Sequence, residues 1–304
     1  YMNSGKMTNK GWEFRVDAVP FENRDWRVGF YFNIAHNENK ITEMPDNYTE
    51  ENYTFNNGEY AYRREEGRPM GSFYGYRYKG VCQNKDATYA RDADGNVMKD
   101  ISGNAIVMRN GTATIAPGDA LYEDINHDGV INQYDIVYLG NSNPRFTGGA
   151  GVNVSYKQFK LSAIFYGRYG QDVVNSTRLN NESMRGIDNQ STAVLRRWRN
   201  EGDQTDIPRA LYGEGYNTLG SDRFVEDASY LRLKSLSFNY RLPKKIIQRW
   251  GFSNIDVYVT GYNLFTWTKY TGQDPEVKTE NTYARDSATT PASIQLVAGF
   301  NLSF

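Results

Sequence analysis

The stretch "DINHDGVINQYD", residues 124–135, carries oxygen donors at the spacing of a loop that wraps a hard cation. Calcium takes roughly six to eight oxygen ligands, and a twelve-residue loop supplies them from its first, third, fifth, seventh, ninth and twelfth positions. The ligand at the seventh position is a backbone carbonyl. The pattern therefore predicts a calcium site formed by Asp124, Asn126, Asp128, the carbonyl of Val130, Asn132 and Asp135.

Two further residues fit this interpretation, and one departs from the usual pattern. Gly129 permits the sharp turn at the sixth position, and Ile131 points an apolar side chain inward. Asp135 replaces the usual twelfth-position glutamate, which binds through both oxygens, so we expect a weak and structural site. The alternative is a turn rich in Asp and Asn that holds no metal, because these residues also favour turns without a cation.

The sequence offers little for catalysis. His36 and His127 are the only histidines and lie on different segments, where we expect them to face solvent, and Cys82 is the only cysteine. No spacing of Ser, His and Asp, no phosphate-binding loop and no zinc motif is present. We therefore predict that the protein is not an enzyme.

Charge and hydropathy exclude other classes. Lys plus Arg is 35 and Asp plus Glu is 36, so the net charge of −1 argues against nucleic acid as a partner. The mean hydropathy is −0.72, and no apolar run is long enough for a transmembrane helix. The 24 tyrosines and 28 glycines suit a polar interior within an aromatic exterior, and they suit a glycan-binding β-sandwich as well. Because the chain begins at Tyr1 without a signal peptide, we expect a piece of a longer protein.

Alternation of apolar and polar residues dominates the chain and predicts β-strands of about ten residues. One face of each strand is apolar, as in Trp12, Phe14 and Val16. The apolar phase switches near Lys234–Ser235, which predicts a bulge. The predicted strands are 12–19, 26–37, 145–157, 159–170, 228–242, 254–268 and 291–304.

The connections between these strands favour a membrane barrel over a soluble β-sandwich. Short links (20–25, 157–158 and 243–253) take turns with long polar ones (about 38–144, 171–227 and 269–290). Outer-membrane barrels have short periplasmic turns and long extracellular loops. We therefore predict an all-β fold, an antiparallel transmembrane β-barrel portion with long extracellular loops. An eighth strand, inside the long excursion or before residue 11, would complete an even number and place Phe304 at the periplasmic end.

One helix is predicted within the long loops, over "NQSTAVLRRWRNEGD", residues 189–203. Val194, Leu195 and Trp198 would pack it against the rest of the loop. Its arginines are interpreted as a solvated face.

Several motifs together resemble SusC-like (SusC/RagA) TonB-dependent outer-membrane transporters. They are "GKMTNKGWEFRV" (5–16), "EGRPMGSFYGYRYKGV" (66–81), residues 118–175 around "GNSNPRFTGG", "ASYLRLKSLSFNYRLP" (228–243) and "YNLFTWTKYTGQDPEV" (262–277). The resemblance covers nearly the whole chain and implies that residues 1–304 are the C-terminal part of a 22-stranded barrel, with its plug domain outside this sequence. It also implies a SusD-like lipoprotein lid, the TonB complex, outer-membrane lipid, and oligosaccharide or peptide substrates.

Three interpretations compete at this stage. Import of large nutrients is favoured, a secreted calcium-bound glycan-binding or adhesion module is the alternative, and a passive porin is a third. The tyrosines of "FYGYRY" (73–78) would either stack on sugar rings or serve as interface or girdle aromatics.

Overall fold

Seven long antiparallel strands form the main sheet of the computed structural model, which describes residues 5–45, 59–61, 63–213, 215–277, 279–280 and 283–304. Each strand pairs with the next long strand along the chain through backbone hydrogen bonds, and its alternating side chains give it one apolar face. The strands are β1 (Lys6–Glu22), β2 (Trp26–Glu43), β3 (Phe146–Tyr156), β4 (Phe159–Tyr169), β5 (Tyr230–Arg241), β6 (Asn254–Thr268) and β7 (Gln295–Ser303).

The all-β antiparallel prediction is confirmed, and so are all seven strands that the alternation indicated. The predicted eighth strand is wrong for the described residues, where no further strand joins this sheet. Any part of that prediction falling on residues 1–4 or 46–58 lies outside the described residues. The end of β7 nevertheless lies beside the start of β6, where Ser303 pairs with Asn254.

Short links and long connections leave the sheet at opposite ends. The turn end carries the links after β1, β3 and β5, and the loop end carries the long connections after β2, β4 and β6. Lys157 adopts a left-handed conformation (φ 52°) in the tight turn after β3. The predicted bulge is confirmed, since the β5–β6 register shifts between Leu233 and Ser235.

The predicted helix over 189–203 is wrong. Only a short 3₁₀ helix, Thr192–Arg196, forms there. The chain turns away at Arg197 because Trp198 donates its backbone N–H to the Ile207 carbonyl (2.9 Å) and buries its ring. This tertiary contact outweighs the helix propensity of the segment.

The remaining elements are short and lie in the connections. Two α-helices (Ser176–Asn181 and Lys244–Ile247) and further 3₁₀ helices (Lys85–Thr88, Gln133–Asp135, Tyr216–Thr218, Asp222–Phe224 and Gln248–Trp250) are present. The short strands are Ser72–Gly75, Tyr78–Val81, Arg109–Asn110, Ala113–Thr114, Ala120–Tyr122, Val130–Ile131, Val137–Asn141, Asp172–Asn175, Val225–Asp227, Thr279–Glu280 and Tyr283–Asp286. In the part of the chain that the structure describes, no helix is long and apolar enough to cross a bilayer.

The buried cores lie in the long connections and not in the main sheet. One cluster is built around Tyr74, Tyr122 and Ile131, and a second around Phe73 and Val174. The sheet instead leaves most of its large apolar side chains exposed. The two parts of the molecule therefore distribute apolar surface in opposite ways.

Candidate functional site

One face of the main sheet, which we call the outer face, is a continuous apolar surface. The strand registers place the apolar side chains of all seven strands on this one face. Its members include Trp12, Phe14, Phe30, Phe32, Val152, Leu161, Phe238, Val259 and Phe300. Phe14 is 51% exposed and Phe300 is 67% exposed. Such a large apolar patch is unfavourable in water and is typical of a surface that meets lipid or protein.

Aromatic rings cluster on the outer face at the loop end. Trp12 and His36 lie with ring centroids 6.1 Å apart, and His36 and Phe146 lie 5.3 Å apart. Phe146 also stacks on Tyr169, at 6.5 Å. These rings come from four neighbouring strands and form one belt.

A second belt lies at the turn end of the same face. Trp26 contacts Tyr156 at 4.4 Å between ring centroids, and Phe159 contacts Tyr240 at 4.6 Å. Amphipathic rings concentrate where a bilayer meets water, so two belts delimit the apolar band of a membrane strand.

The separation of the two belts fits a bilayer. The strand Phe146–Tyr156 has eleven residues and joins one belt to the other. It extends about 34 Å along its own axis. At the roughly 40° tilt of outer-membrane barrels it spans about 25 Å, which is the usual height of their apolar band.

The opposite face of the sheet, which we call the inner face, is polar, and its side chains form hydrogen bonds with one another. Ser162 donates to the Asn153 side chain (2.8 Å), and the hydroxyls of Ser237 and Thr260 pair at 2.8 Å. Glycines and exposed charged residues fill other positions of this face, as in the ion pair of Arg15 with Asp17. A wall with this polarity suits a water-filled passage.

The third long connection folds back onto the inner face through a buried arginine. Arg232 is 2% exposed, donates to Thr266 (2.8 Å) and Glu276 (2.8 Å), and also binds Asp274. Lys234 adds a second contact to Glu276, at 2.9 Å. Burial alone would raise the pKa of Asp274, but amide donors and the guanidinium outweigh it and hold that pKa below its usual value.

The predicted calcium loop is folded and connected internally. Gly129 donates its N–H to Asp124 Oδ2 (2.8 Å), and Val130 donates its N–H to Asp128 Oδ1 (2.8 Å). Asp135 is fully buried and accepts the amides of Ile125 and Asn132, both at 2.8 Å.

The remaining predicted ligands lie within this arrangement. The Asn126 side chain donates to Asp128 (3.0 Å), and the Asn132 side chain donates to the Val130 carbonyl (3.1 Å). Gly129 has φ +80°, as the sharp turn requires, and Ile131 is fully buried as predicted. The six predicted ligand residues are thus drawn into one connected loop.

The donor chemistry of this loop suits a hard cation. Burial raises the pKa of Asp135, because desolvation penalises its charged form more than the two amide donors favour it. Among the described residues, no three His, Cys, Asp or Glu side chains gather closely enough to hold a metal by themselves. Coordination would therefore depend on the amide and carbonyl oxygens as well as the carboxylates.

The loop rests on a platform that the sequence prediction missed. Three backbone amides bond in a ring, from Ala90 to Ile106, from Ile106 to Met98 and from Met98 to Ala90, each at 2.9 Å. A Cβ added at Gly129 would lie 3.0 Å from the Ala90 Cβ, so loop and platform are in close contact. The signal was present as an eight-residue repeat, "DADGN" at 92–96 and "DISGN" at 100–104.

For two of the three "FYGYRY" tyrosines, Tyr74 and Tyr76, neither predicted role is correct, whereas Tyr78 is only partly buried. Tyr74 is fully buried and Tyr76 is 3% exposed, both in the core of the first long connection. Their rings contact Tyr138 and Tyr122, at 5.8 and 5.7 Å between centroids. They pack the loop core and are covered from ligand and bilayer alike.

Known proteins are similar to this chain in both sequence and fold. No protein-family model matches the chain. TonB-dependent receptor P3 of Formosa agariphila is 33% identical over 289 residues, which is 92% of this chain and 26% of that protein. TonB-dependent receptor SusC of Bacteroides thetaiotaomicron is 25% identical over 312 residues, 99% of this chain and 27% of that protein. The chain thus spans about a quarter of the length of these curated relatives.

The solved structures give the same result. A structure of the RagAB peptide transporter superposes with a TM-score of 0.71 at 27% identity, over 100% of this chain and 30% of that one. The RagAB peptide importer in its open-open state gives a TM-score of 0.69 at 25% identity, over 99% and 29%. Sequence motifs, strand order and both sets of relatives agree, and the chain belongs to the SusC-like TonB-dependent transporters.

Proposed function

We propose that this chain forms part of the wall of an outer-membrane importer that takes up oligosaccharides or oligopeptides in a TonB-dependent manner. The observation that carries the proposal is the main sheet, with an apolar outer face between two aromatic belts and a polar inner face. Its relatives are named as receptors and transporters, which supports transport over catalysis.

The proposed partners follow from the same relatives. The SusC and RagAB likeness supports a SusD-like surface lipoprotein as a lid over the long connections, and the TonB complex as the source of energy. Outer-membrane lipid would cover the outer face. We retain the prediction that nucleic acid is not a partner, on the net charge of −1.

The proposed orientation places the loop end outside the cell and the turn end in the periplasm. Ile101 is fully exposed in the first long connection, and Lys157 lies in a tight turn at the other end. Each would be replaced by cysteine, and intact cells treated with a membrane-impermeant maleimide. Cys82 is fully buried and should add little background. Ile101→Cys should react in intact cells, and Lys157→Cys only after the outer membrane is opened.

The same experiment separates the proposal from a secreted glycan-binding or adhesion protein. A secreted protein would leave the cell, remain soluble without detergent, and react at both positions. Equal labelling of both cysteines in intact cells would contradict the proposed orientation. A gene-deletion strain would then be grown on oligosaccharide or on oligopeptide as sole nutrient. Loss of growth on one of the two would identify the substrate class.

We also propose that the 124–135 loop binds calcium as a structural clip. Asp124, Asn126, Asp128, the Val130 carbonyl, Asn132 and Asp135 would hold the ion, which would offset the buried charge of Asp135. Millimolar calcium should raise the thermal stability of the purified protein, and Asp124→Ala with Asp128→Ala should abolish that increase. Asp92→Ala in the neighbouring repeat is the matched control. If the double variant kept the wild-type calcium response, the loop would be a turn without metal.

A further inference from the structure

A groove interrupts the outer face at its loop end. It has a volume of about 670 Å³ and is lined by residues of β2 to β6 and of the connections beside them. Its floor is formed by Gly148 and Ala150 of β3 and by Gly167 of β4, which pairs with Gly148. Phe32 forms one wall of the groove, and Leu231 and Trp267 form the other wall.

The floor is low because two strand positions cannot carry a side chain. A Cβ built on Gly148 would lie 2.5 Å from the Asn33 carbonyl oxygen, and one built on Gly167 would lie 2.7 Å from that of Tyr230. The strand backbones approach closely there, so glycine is required at both positions. The walls are large and about half exposed, with Leu231 at 47% and Trp267 at 52%.

A cation stands at the loop-end mouth of the groove. Lys269 lines it, lies two residues after Trp267, and is exposed. Lys269 forms no ion pair with any of the described residues. The one acidic side chain of the lining, Asp227, accepts the N–H and the hydroxyl of Ser229. Arg168, also in the lining, donates to the Tyr166 hydroxyl (3.2 Å) on the inner face.

We infer that this groove binds one acyl chain of an outer-leaflet lipid with a net-negative headgroup, whose phosphate pairs with Lys269. The inference rests on the proposed placement of the outer face in the bilayer. An apolar groove that ends at an aromatic belt and at a cation without an ion pair among the described residues matches the acyl chain and the phosphate of such a lipid. Lysine beside an interfacial tryptophan lies at headgroup depth.

The test uses photoreactive lipids and the full-length protein in vesicles. Phosphatidylglycerol and phosphatidylcholine would each carry the same diazirine acyl chain, and mass spectrometry would locate the adducts. We expect phosphatidylglycerol adducts on Phe32, Leu231 and Trp267 to exceed those on other outer-face residues at least fivefold. Ala150→Phe should fill the floor and remove this excess, whereas Ala298→Phe, on the outer face of β7, should leave it unchanged.

The headgroup contact has its own pair of variants. Lys269→Gln should abolish the preference for phosphatidylglycerol over phosphatidylcholine at the groove, and Lys157→Gln at the turn end should preserve it. Adducts spread evenly over the outer face, or a groove that labels equally with both lipids in the wild type, would overturn the inference and leave the importer proposal intact. No adducts on any outer-face residue would overturn both.

Discussion

The main sheet and the long connections contain the same kinds of residue but bury opposite ones. In the connections, Phe73 is fully buried against Tyr283, with ring centroids 5.4 Å apart, as in a water-soluble domain. In the sheet, Phe300 is 67% exposed on the outer face while serine and threonine pair inside. Under the proposed placement, two solvents act on one chain. Water would select the core of the connections, and a bilayer would select the outer face of the sheet.

The largest effect is expected from opening the core of the connections. Phe73→Ala should cost about 3–5 kcal/mol of local stability, because the cavity cannot be filled by water or lipid. Faster amide hydrogen exchange in Ser72–Gly75 and in its partner strand Val137–Asn141 would report the loss. Phe300→Ala, on the outer face, is the matched control and should leave these amides unchanged. Equal protection in Phe73→Ala and wild type would mean that this cluster does not hold the connections together.

A charge placed on each exposed apolar position should distinguish the two solvents. Val259 is 42% exposed near the middle of β6, and Ile101 is fully exposed in the first long connection. Val259→Arg should cost about 2–4 kcal/mol, because arginine at bilayer depth is strongly unfavourable. Ile101→Arg should change stability by no more than about 0.5 kcal/mol, as for other surface changes.

Folding titrations into lipid vesicles would measure both arginine variants against the wild type. If Val259→Arg folded as readily as Ile101→Arg, the outer face would not be covered by lipid. That result would favour a protein partner on this face.

A smaller effect is expected where the two regions meet. Asp274→Asn should cost about 1.5–3 kcal/mol, since it weakens a charge-assisted bond to the buried Arg232. The folded pKa of Asp274 is lowered from 3.8, so this stability is present above that value and is lost as the pH falls through the folded pKa. Melting curves of wild type and variant should therefore converge in strong acid.

A surface ion pair provides the control for Asp274→Asn. Arg77 is 53% exposed and pairs with Glu123 at 3.0 Å. Arg77→Gln should cost less than about 1 kcal/mol, because water screens exposed pairs. Similar losses in both variants would show that burial of Arg232 adds nothing to the contact between connection and sheet.

The strand boundaries show how far alternation could predict the fold. The apolar pattern predicted a strand over 12–19, whereas β1 runs over Lys6–Glu22. Lys10, Asn9 and Thr8 pair with β2 although they do not alternate. Backbone hydrogen bonds require no apolar face, so the pairing continues beyond the apolar band. Periodicity therefore located each strand but not its full length.

The internal folding of the 124–135 loop was predictable because its six predicted ligand residues are local in sequence, whereas calcium binding itself stays a prediction. The platform beneath it depends on contacts between Ala90, Met98 and Ile106, and these contacts have no local signal beyond a short repeat. In the sequence, Arg232 looks like one more polar residue of a strand. In the structure it binds two carboxylates that lie more than 40 residues away along the chain.

The sequence by itself determined the alternating faces, the order of the strands and the split between short and long links, because these follow from a period of two and from local turn chemistry. The tertiary structure decided which tyrosines are buried, where the predicted helix breaks, how Arg232 ties a loop to the wall, and where glycine backbones leave a groove. Those outcomes depend on residues distant in sequence that compete for the same space. No local pattern of side chains records that competition.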